Sequence, residues 1–241
     1  MMHPDWPAPA GVKAVTTTRA EGGASCGAYA DFNLALHVGD VADAVQQNRR
    51  RLRQLLELPA EPAWLDQVHG QEVIDAAGVA SAPAADASFS FGSGAVCAVL
   101  TADCLPVLFC DRSATRVAAA HAGWRGLAGG VLERTVAALQ CAPGELLAWL
   151  GPAIGPRHFE VGEEVREAFV SAHREAAPAF ERQPAGNYLA DLYQLAKIRL
   201  QAAGVESIYG GGFCTYAEPE RWYSYRREHT TGRMASLIWL S

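Results

Sequence analysis

Ala95-Val96-Cys97-Ala98-Val99-Leu100-Thr101, Leu105-Pro106-Val107-Leu108-Phe109-Cys110 and Arg116-Val117-Ala118-Ala119-Ala120 are three apolar runs set close together in the chain. Each has the length of a strand rather than a helix, and turn-forming residues bound each one, which is how buried strands read. Asp111-Arg112-Ser113 supplies a hairpin-like turn between the last two. The connections are too short for crossover helices, so the sheet is mixed rather than purely parallel. The fold class is α+β.

Working outward, residues 12–18, 64–68, 146–150, 205–209 and 236–240 read as further strands, the second ending at His69-Gly70. Residues 40–58 read as a helix that Asp40 or Asp43 can cap, with Val41, Val45, Leu52, Leu55 and Leu56 as its apolar stripe and Pro59 just beyond. Helices are also predicted over 126–140, 162–176 and 189–203, the last capped near Asn187 and ended by Gly204, with Asp191 and Tyr193 opening a helix as cap and packing. Residues 21–30 read as a loop, and the alanine- and proline-rich 76–87 as a surface connection. There is no internal repeat and no parting linker, so residues 1–241 are expected to form one domain.

Half of the 241 residues are hydrophobic and 19% are charged, as in globular proteins. The formal charge of −6 argues against a general nucleic-acid or membrane-surface role. The one basic run, Arg49-Arg50-Arg51, reads as a solvated helix face. No stretch is long and apolar enough to span a membrane, and no export signal is visible at the start. Six scattered cysteines then read as reduced thiols, which predicts a cytoplasmic enzyme.

Three polar residues stand at or near the ends of strand-like segments, where a side chain can project into a site. They are His69 in Gln67-Val68-His69-Gly70, Cys104 in Thr101-Ala102-Asp103-Cys104-Leu105-Pro106, and His121 in Ala120-His121-Ala122-Gly123-Trp124-Arg125-Gly126. Two imidazoles and a thiolate form the ligand set of a catalytic zinc that keeps one position open. Cys97 and Cys110, inside apolar runs, read instead as small buried hydrophobes. Arg125, just before a predicted helix, could fork onto a phosphate, or the segment could be a plain strand-to-helix turn. Asp103 serves either proton handling and support of the site or the capping of the turn before Pro106. The aromatic and arginine run Trp222-Tyr223-Ser224-Tyr225-Arg226-Arg227 suits base stacking and phosphate binding, and equally a rim packed on the core. Walker and dinucleotide glycine motifs are absent from the sequence.

These motifs resemble those of the laccase-domain, or multicopper polyphenol oxidoreductase, family. The likeness runs from Thr16-Thr17-Thr18-Arg19 and Phe32-Asn33-Leu34 through the three segments above. It continues with Gly151-Pro152-Ala153-Ile154-Gly155-Pro156, Phe159-Glu160-Val161-Gly162, Asp191-Leu192, Phe213-Cys214-Thr215, Tyr223-Ser224-Tyr225-Arg226-Arg227 and Gly232-Arg233. The resemblance implies a compact α/β sandwich and places a zinc site on His69, Cys104 and His121. It implies purine nucleoside phosphorylase activity on adenosine and inosine (methylthioadenosine included) with phosphate, and adenosine deaminase and peptidoglycan-editing roles besides. Arg125, Arg49 and Arg233 are the candidates to hold the phosphate, and Cys104, His121 and Asp103 the catalytic candidates. The copper label fits poorly, because none of the seven histidines forms a His-x-His pair. A His/His/Cys set can still bind Cu2+ in vitro. Two rivals use the same residues: a Cys–His hydrolase acting on cell-wall precursors, with Cys104 as nucleophile and His121 as base, and a metal-stabilised binding module.

Overall fold

In a computed structural model describing residues 1–79 and 81–241, the three apolar runs form strands β4 (Val96–Thr101), β5 (Leu105–Asp111) and β6 (Arg116–Ala122). β5 and β6 pair as the expected antiparallel hairpin. β4 does not pair with β5. It belongs to a three-stranded antiparallel sheet in the order β1-β12-β4, with β1 over Val12–Thr16 and β12 over Met234–Leu240. The larger sheet runs β11-β7-β5-β6-β3-β2, with β2 at Val73–Asp75, β3 at Ala87–Phe91, β7 at Leu146–Leu150 and β11 at Ser207–Gly210. It is mixed: β11–β7 and β2–β3 are parallel, the other pairs antiparallel. Residues 102–104 therefore carry the chain from one sheet to the other.

The two sheets pack face to face, which explains why the runs read as continuously apolar. Cys97 and Val99 of β4 meet Leu108, Cys110, Val117, Ala119 and Trp149 of the larger sheet. The alternate residues of β5, Val107 and Phe109, bury instead against the helices α2 (Trp124–Gly129), α3 (Val131–Ala138), α4 (Glu163–Val170) and α5 (Leu192–Ala202). On the outer face of the small sheet, Val96, Ala98 and Leu100 pack with Phe32, Leu34 and Leu52, the last from α1 (Ala42–Leu56). Both faces of β4 and β5 are thus covered, and each large side chain fully buried there contributes about 1.5–3 kcal/mol.

Several expectations change in detail. The predicted strand at 64–68 makes only two isolated bridges, Ala63 with Cys97 and Asp66 with Ala84. The Gln67 side chain takes over the ladder: its Nε2 donates to the Leu100 carbonyl at 2.8 Å and its Oε1 accepts from the Leu100 N–H at 2.7 Å. The 126–140 helix is split by Gly130, whose φ of 102° ends α2 and starts α3. The 162–176 helix stops at Val170 and resumes as a 3-10 segment at Arg174–Ala179.

Neither Asp40 nor Asn187 caps a helix. Asp40 holds the 25–33 loop through Ser25 and Asn33. Residues 188–190 form β10 between β8 (Glu160–Val161) and β9 (Phe180–Arg182), and Asp191 caps α5 through the N–H groups of Tyr193 and Gln194. Of the expected surface connection at 76–87, Ala85, Asp86 and Ala87 are fully buried, and residue 80 lies outside the described residues.

Candidate metal centre

The three donors predicted from sequence converge. The Sγ of Cys104 and Nε2 of His69 are 3.9 Å apart, and the donor atoms of His69, Cys104 and His121 all lie within 4.8 Å of one another. The imidazoles of His69 and His121 meet edge to face, with centroids 4.8 Å apart.

Each donor is delivered by a different device. His121 closes β6 and is buried. Cys104 sits on the crossing between sheets, next to Asp103 at φ 92°. His69 projects from a loop with its own φ at 58°. Gly123 is needed where the three meet, since a Cβ there would stand 2.9 Å from His69 Cδ2 and 3.1 Å from Cys104 Sγ.

Asp86, not Asp103, organises the ligands. Its fully buried carboxylate accepts from His121 Nδ1 at 2.7 Å and from the backbone N–H groups of Val68, His69 and Gly70 at 3.2, 2.9 and 2.6 Å. Burial alone would raise its pKa. The bonds from His121, Gly70 and His69 outweigh burial and hold it below the ordinary carboxylate value. An ionised Asp86 requires a proton on His121 Nδ1, which turns Nε2 toward the other donors, as an outer partner does for a metal-ligating histidine.

Asp103 has both carboxylate oxygens engaged: Oδ1 accepts from Thr215 Oγ1 and Oδ2 from the Arg226 N–H, each at 2.6 Å. Its carbonyl accepts from Ile154 N–H at 2.9 Å. Those contacts fasten the Cys104 turn to two remote segments.

Burial opposes a thiolate at Cys104, but the charge and hydrogen bond of His121, with those of His69, win and lower its pKa to about 6. His121 moves the other way, to about 9, because Cys104 and Asp86 together overcome the burial cost of its charged form. The donor set fits zinc: with bonds of about 2.3 Å to sulfur and about 2.0–2.1 Å to nitrogen, tetrahedral ligand atoms lie roughly 3.3–3.6 Å apart. Among the described residues this is the single group of three such donors.

The ligands open into a cleft of about 350 Å³ that is also lined by His37, Thr101, Tyr225 and Arg233. Arg233 is mostly buried, and its Nη1 donates to the carbonyls of Thr231 and Gly232 at 2.9 and 3.0 Å. Burial lowers its pKa, against the pull of Cys104 and Asp103. Arg49 lies close enough to bias His37, donates from Nε to the Leu34 carbonyl at 2.9 Å and stacks 4.1 Å over the Trp64 ring. Burial pushes its pKa down to about 10. Among the described residues neither guanidinium has a carboxylate within ion-pair distance.

Arg125 corrects the sequence expectation. It is exposed, lies over the ring of its neighbour Trp124 at 4.4 Å, and does not line the cleft. Sequence reasoning missed Asp86 and His37, while Gly123 and the cleft-facing Tyr225 were read only as parts of their motifs. The one available signal for Asp86 was a lone acid inside an alanine-rich run.

Residues 13–241 match the family model described as multi-copper polyphenol oxidoreductase laccase. A Pseudomonas aeruginosa protein named purine nucleoside phosphorylase is 58% identical over 241 residues, covering 99% of this chain and 98% of its own length. The Escherichia coli purine nucleoside phosphorylase YfiH is 57% identical, at 100% and 98% coverage. Among solved structures, a Neisseria meningitidis protein superposes with a TM-score of 0.97 at 54% identity, over 100% of this chain and 98% of that one. YlmD from Geobacillus stearothermophilus superposes at 0.87 with 34% identity, over 96% and 92%.

Proposed function

The chain belongs to the multi-copper polyphenol oxidoreductase laccase family, and from that premise we propose that it is a cytoplasmic, zinc-dependent purine nucleoside phosphorylase. Its substrates in this reading are adenosine and inosine (methylthioadenosine also) with phosphate, and adenosine deamination is a side activity. The relatives' names supply the reaction class.

One observation carries the reading. A metal-donor set and Arg233, a mostly buried arginine with no carboxylate within ion-pair distance among the described residues, line the same cleft, and Arg49 lies near enough to bias its His37. A buried cation without a partner is costly, and an entering dianion removes that cost.

When bound by His69, Cys104 and His121, zinc supplies Lewis-acid polarisation at the coordination position that the protein leaves open. Arg233, which keeps Nη2 and Nε free of protein partners among the described residues, holds the phosphate oxygens, with Arg49 adding positive charge nearby and His37, whose pKa burial lowers, offering a neutral ring. A phosphate oxygen then forms a bond to ribose C1′ as the bond from C1′ to the purine nitrogen breaks. The dianion held beside C1′ stabilises the positive charge that develops on the sugar. Asp86 keeps the His121 tautomer fixed, and Asp103 holds the turn on which Cys104 sits.

Incubating metal-analysed protein with adenosine, with and without phosphate, separates the activities. Adenine that appears only with phosphate supports phosphorolysis, and inosine formed in either condition is deamination. No phosphate-dependent adenine release overturns the reading. Arg233→Lys should weaken phosphorolysis through the lost planar fork, by about 1.5–3 kcal/mol or roughly ten- to a hundredfold, and leave deamination much less affected. Arg125→Lys should change neither.

The low pKa of Cys104 beside His121 favours one second reading, a metal-free Cys–His hydrolase editing peptidoglycan precursors. About one zinc per chain in the purified active protein excludes it. Copper occupying the same three donors would make any polyphenol oxidation adventitious.

A further inference from the structure

The cleft is lined by polar side chains and by one exposed aromatic ring, Tyr225. Six large apolar side chains stay exposed among the described residues, and one of them, Tyr225, lines the cleft, at 53% exposure. An aromatic ring left half in water beside an arginine and a metal-ligand cluster has no packing reason to be there. Its surroundings hold it still.

The helix that carries it, α6 (Tyr225–Glu228), is capped by the Ser224 hydroxyl, which accepts from the Arg227 N–H. The Arg226 N–H is fixed by Asp103 at 2.6 Å, so the ring is tied through one carboxylate to the residue before Cys104. The ring meets His229 edge to face, at 6.0 Å and 81°, and the Arg233 guanidinium stands 5.8 Å from its centroid. The phenol oxygen makes no hydrogen bond among the described residues, so the ring is offered by its face and not used as a polar anchor.

Resting on the nucleoside reading above, we propose that Tyr225 is the stacking platform for the purine base. A platform reads the π-face that every base presents and is blind to the groups on the base edge. The site therefore selects a purine nucleoside as a class and accepts 6-amino and 6-oxo bases alike. Asp103 acts as a positioning residue that sets the ring's place relative to the metal ligands.

The test measures phosphorolysis of adenosine, inosine and guanosine by the metal-loaded full chain and by Tyr225→Phe and Tyr225→Leu. Base–aromatic stacking of the ordinary strength predicts a KM increase of roughly 5- to 150-fold for all three nucleosides in Tyr225→Leu, by a common factor. Tyr225→Phe should stay within about threefold of the parent. The phosphate KM and the zinc content should not move in either variant.

Unchanged nucleoside KM values, a loss confined to one base, or a parallel rise in phosphate KM from an active parent enzyme overturns the platform alone. A parent chain inert toward all three nucleosides overturns the phosphorylase reading, and this inference with it.

Discussion

Asp86→Asn probes the least visible part of the site. The substitution preserves volume inside a fully buried position, so the change is one of charge and hydrogen-bond polarity. The carboxylate accepts four bonds, two on each oxygen: His69 N–H and His121 Nδ1 on Oδ1, Val68 N–H and Gly70 N–H on Oδ2. An amide can turn only one acceptor oxygen toward these donors, so its NH2 must face the other pair. Two bonds to a charged acceptor are lost, each worth about 1.5–3 kcal/mol, for a total of roughly 3–6 kcal/mol. That is a large part of the 5–15 kcal/mol typical of a domain.

If the NH2 faces His121, the ring can recover by moving its proton to Nε2, which removes the lone pair that the metal site needs. Loss of such an outer partner typically costs about ten- to a hundredfold in metal affinity. Urea denaturation with and without added zinc, together with competition titration against a chelator, reads both effects.

The pH dependence has a definite sign. The folded pKa of Asp86 is depressed, so its contribution is fully present above the unfolded value of about 3.9 and disappears as pH falls through the lower folded value. The gap between the parent chain and the variant should therefore close below about pH 4, and because Asp86 also helps raise the His121 pKa to about 9, it should narrow as well when pH rises from about 6.5 through 9. An asparagine variant with parental stability and parental zinc affinity refutes Asp86 as the organiser of the site.

Replacing Gly123 by alanine should lower zinc affinity with little change in Tm. Its φ of −64° suits alanine, while the new Cβ intrudes on His69 and Cys104; a stoichiometric, tightly bound zinc would contradict this. Alanine at His69, Cys104 or His121 should remove both zinc and activity and leave the far-ultraviolet circular dichroism intact, because an open three-donor site need not supply folding energy. Zinc retained by two of the three variants would sink the ligand assignment. In chelator-treated protein, iodoacetamide labelling of Cys104 should rise with pH around about 6 rather than near an ordinary thiol's 8.5, and zinc should suppress it. Mass spectrometry of the labelled peptide decides the point.

The central strands were legible because burial on both faces removes the alternation that would otherwise blur a short run, and the three ligands because each interrupts or ends such a run. Less of the rest could be read. Gly130 breaks a helix that periodicity alone would continue. A glutamine side chain at 67 performs the pairing expected of a strand backbone. Arg125 misled because its place before a helix says nothing of which way the side chain leaves, and here it leaves over Trp124. Arg233, His37 and Tyr225 reach the cleft from segments nearly two hundred residues apart, a proximity created only when β12 inserts between β1 and β4. Asp86 was hidden by the opposite circumstance, since its alanine neighbours read as a surface linker but are packed inside.

The crossing at 102–104 has a mechanical consequence. His121 belongs to the six-stranded sheet, and the His69 loop is held from both sides, by Gln67 on Leu100 of the three-stranded sheet and by Asp86, beside β3, on the N–H groups of residues 68–70. Anything that ligates both histidines and Cys104 is a rivet through the seam between two stacked plates. Sliding one plate over the other would set the Gln67–Leu100 bonds against the Asp86 bonds within the 67–70 loop, and so strain the donor triangle through His69. The cleft thus works as a gauge of shear, and a substitution at the Cys97–Leu108 contact, well inside the protein, should register as altered metal affinity while the chain is still fully folded.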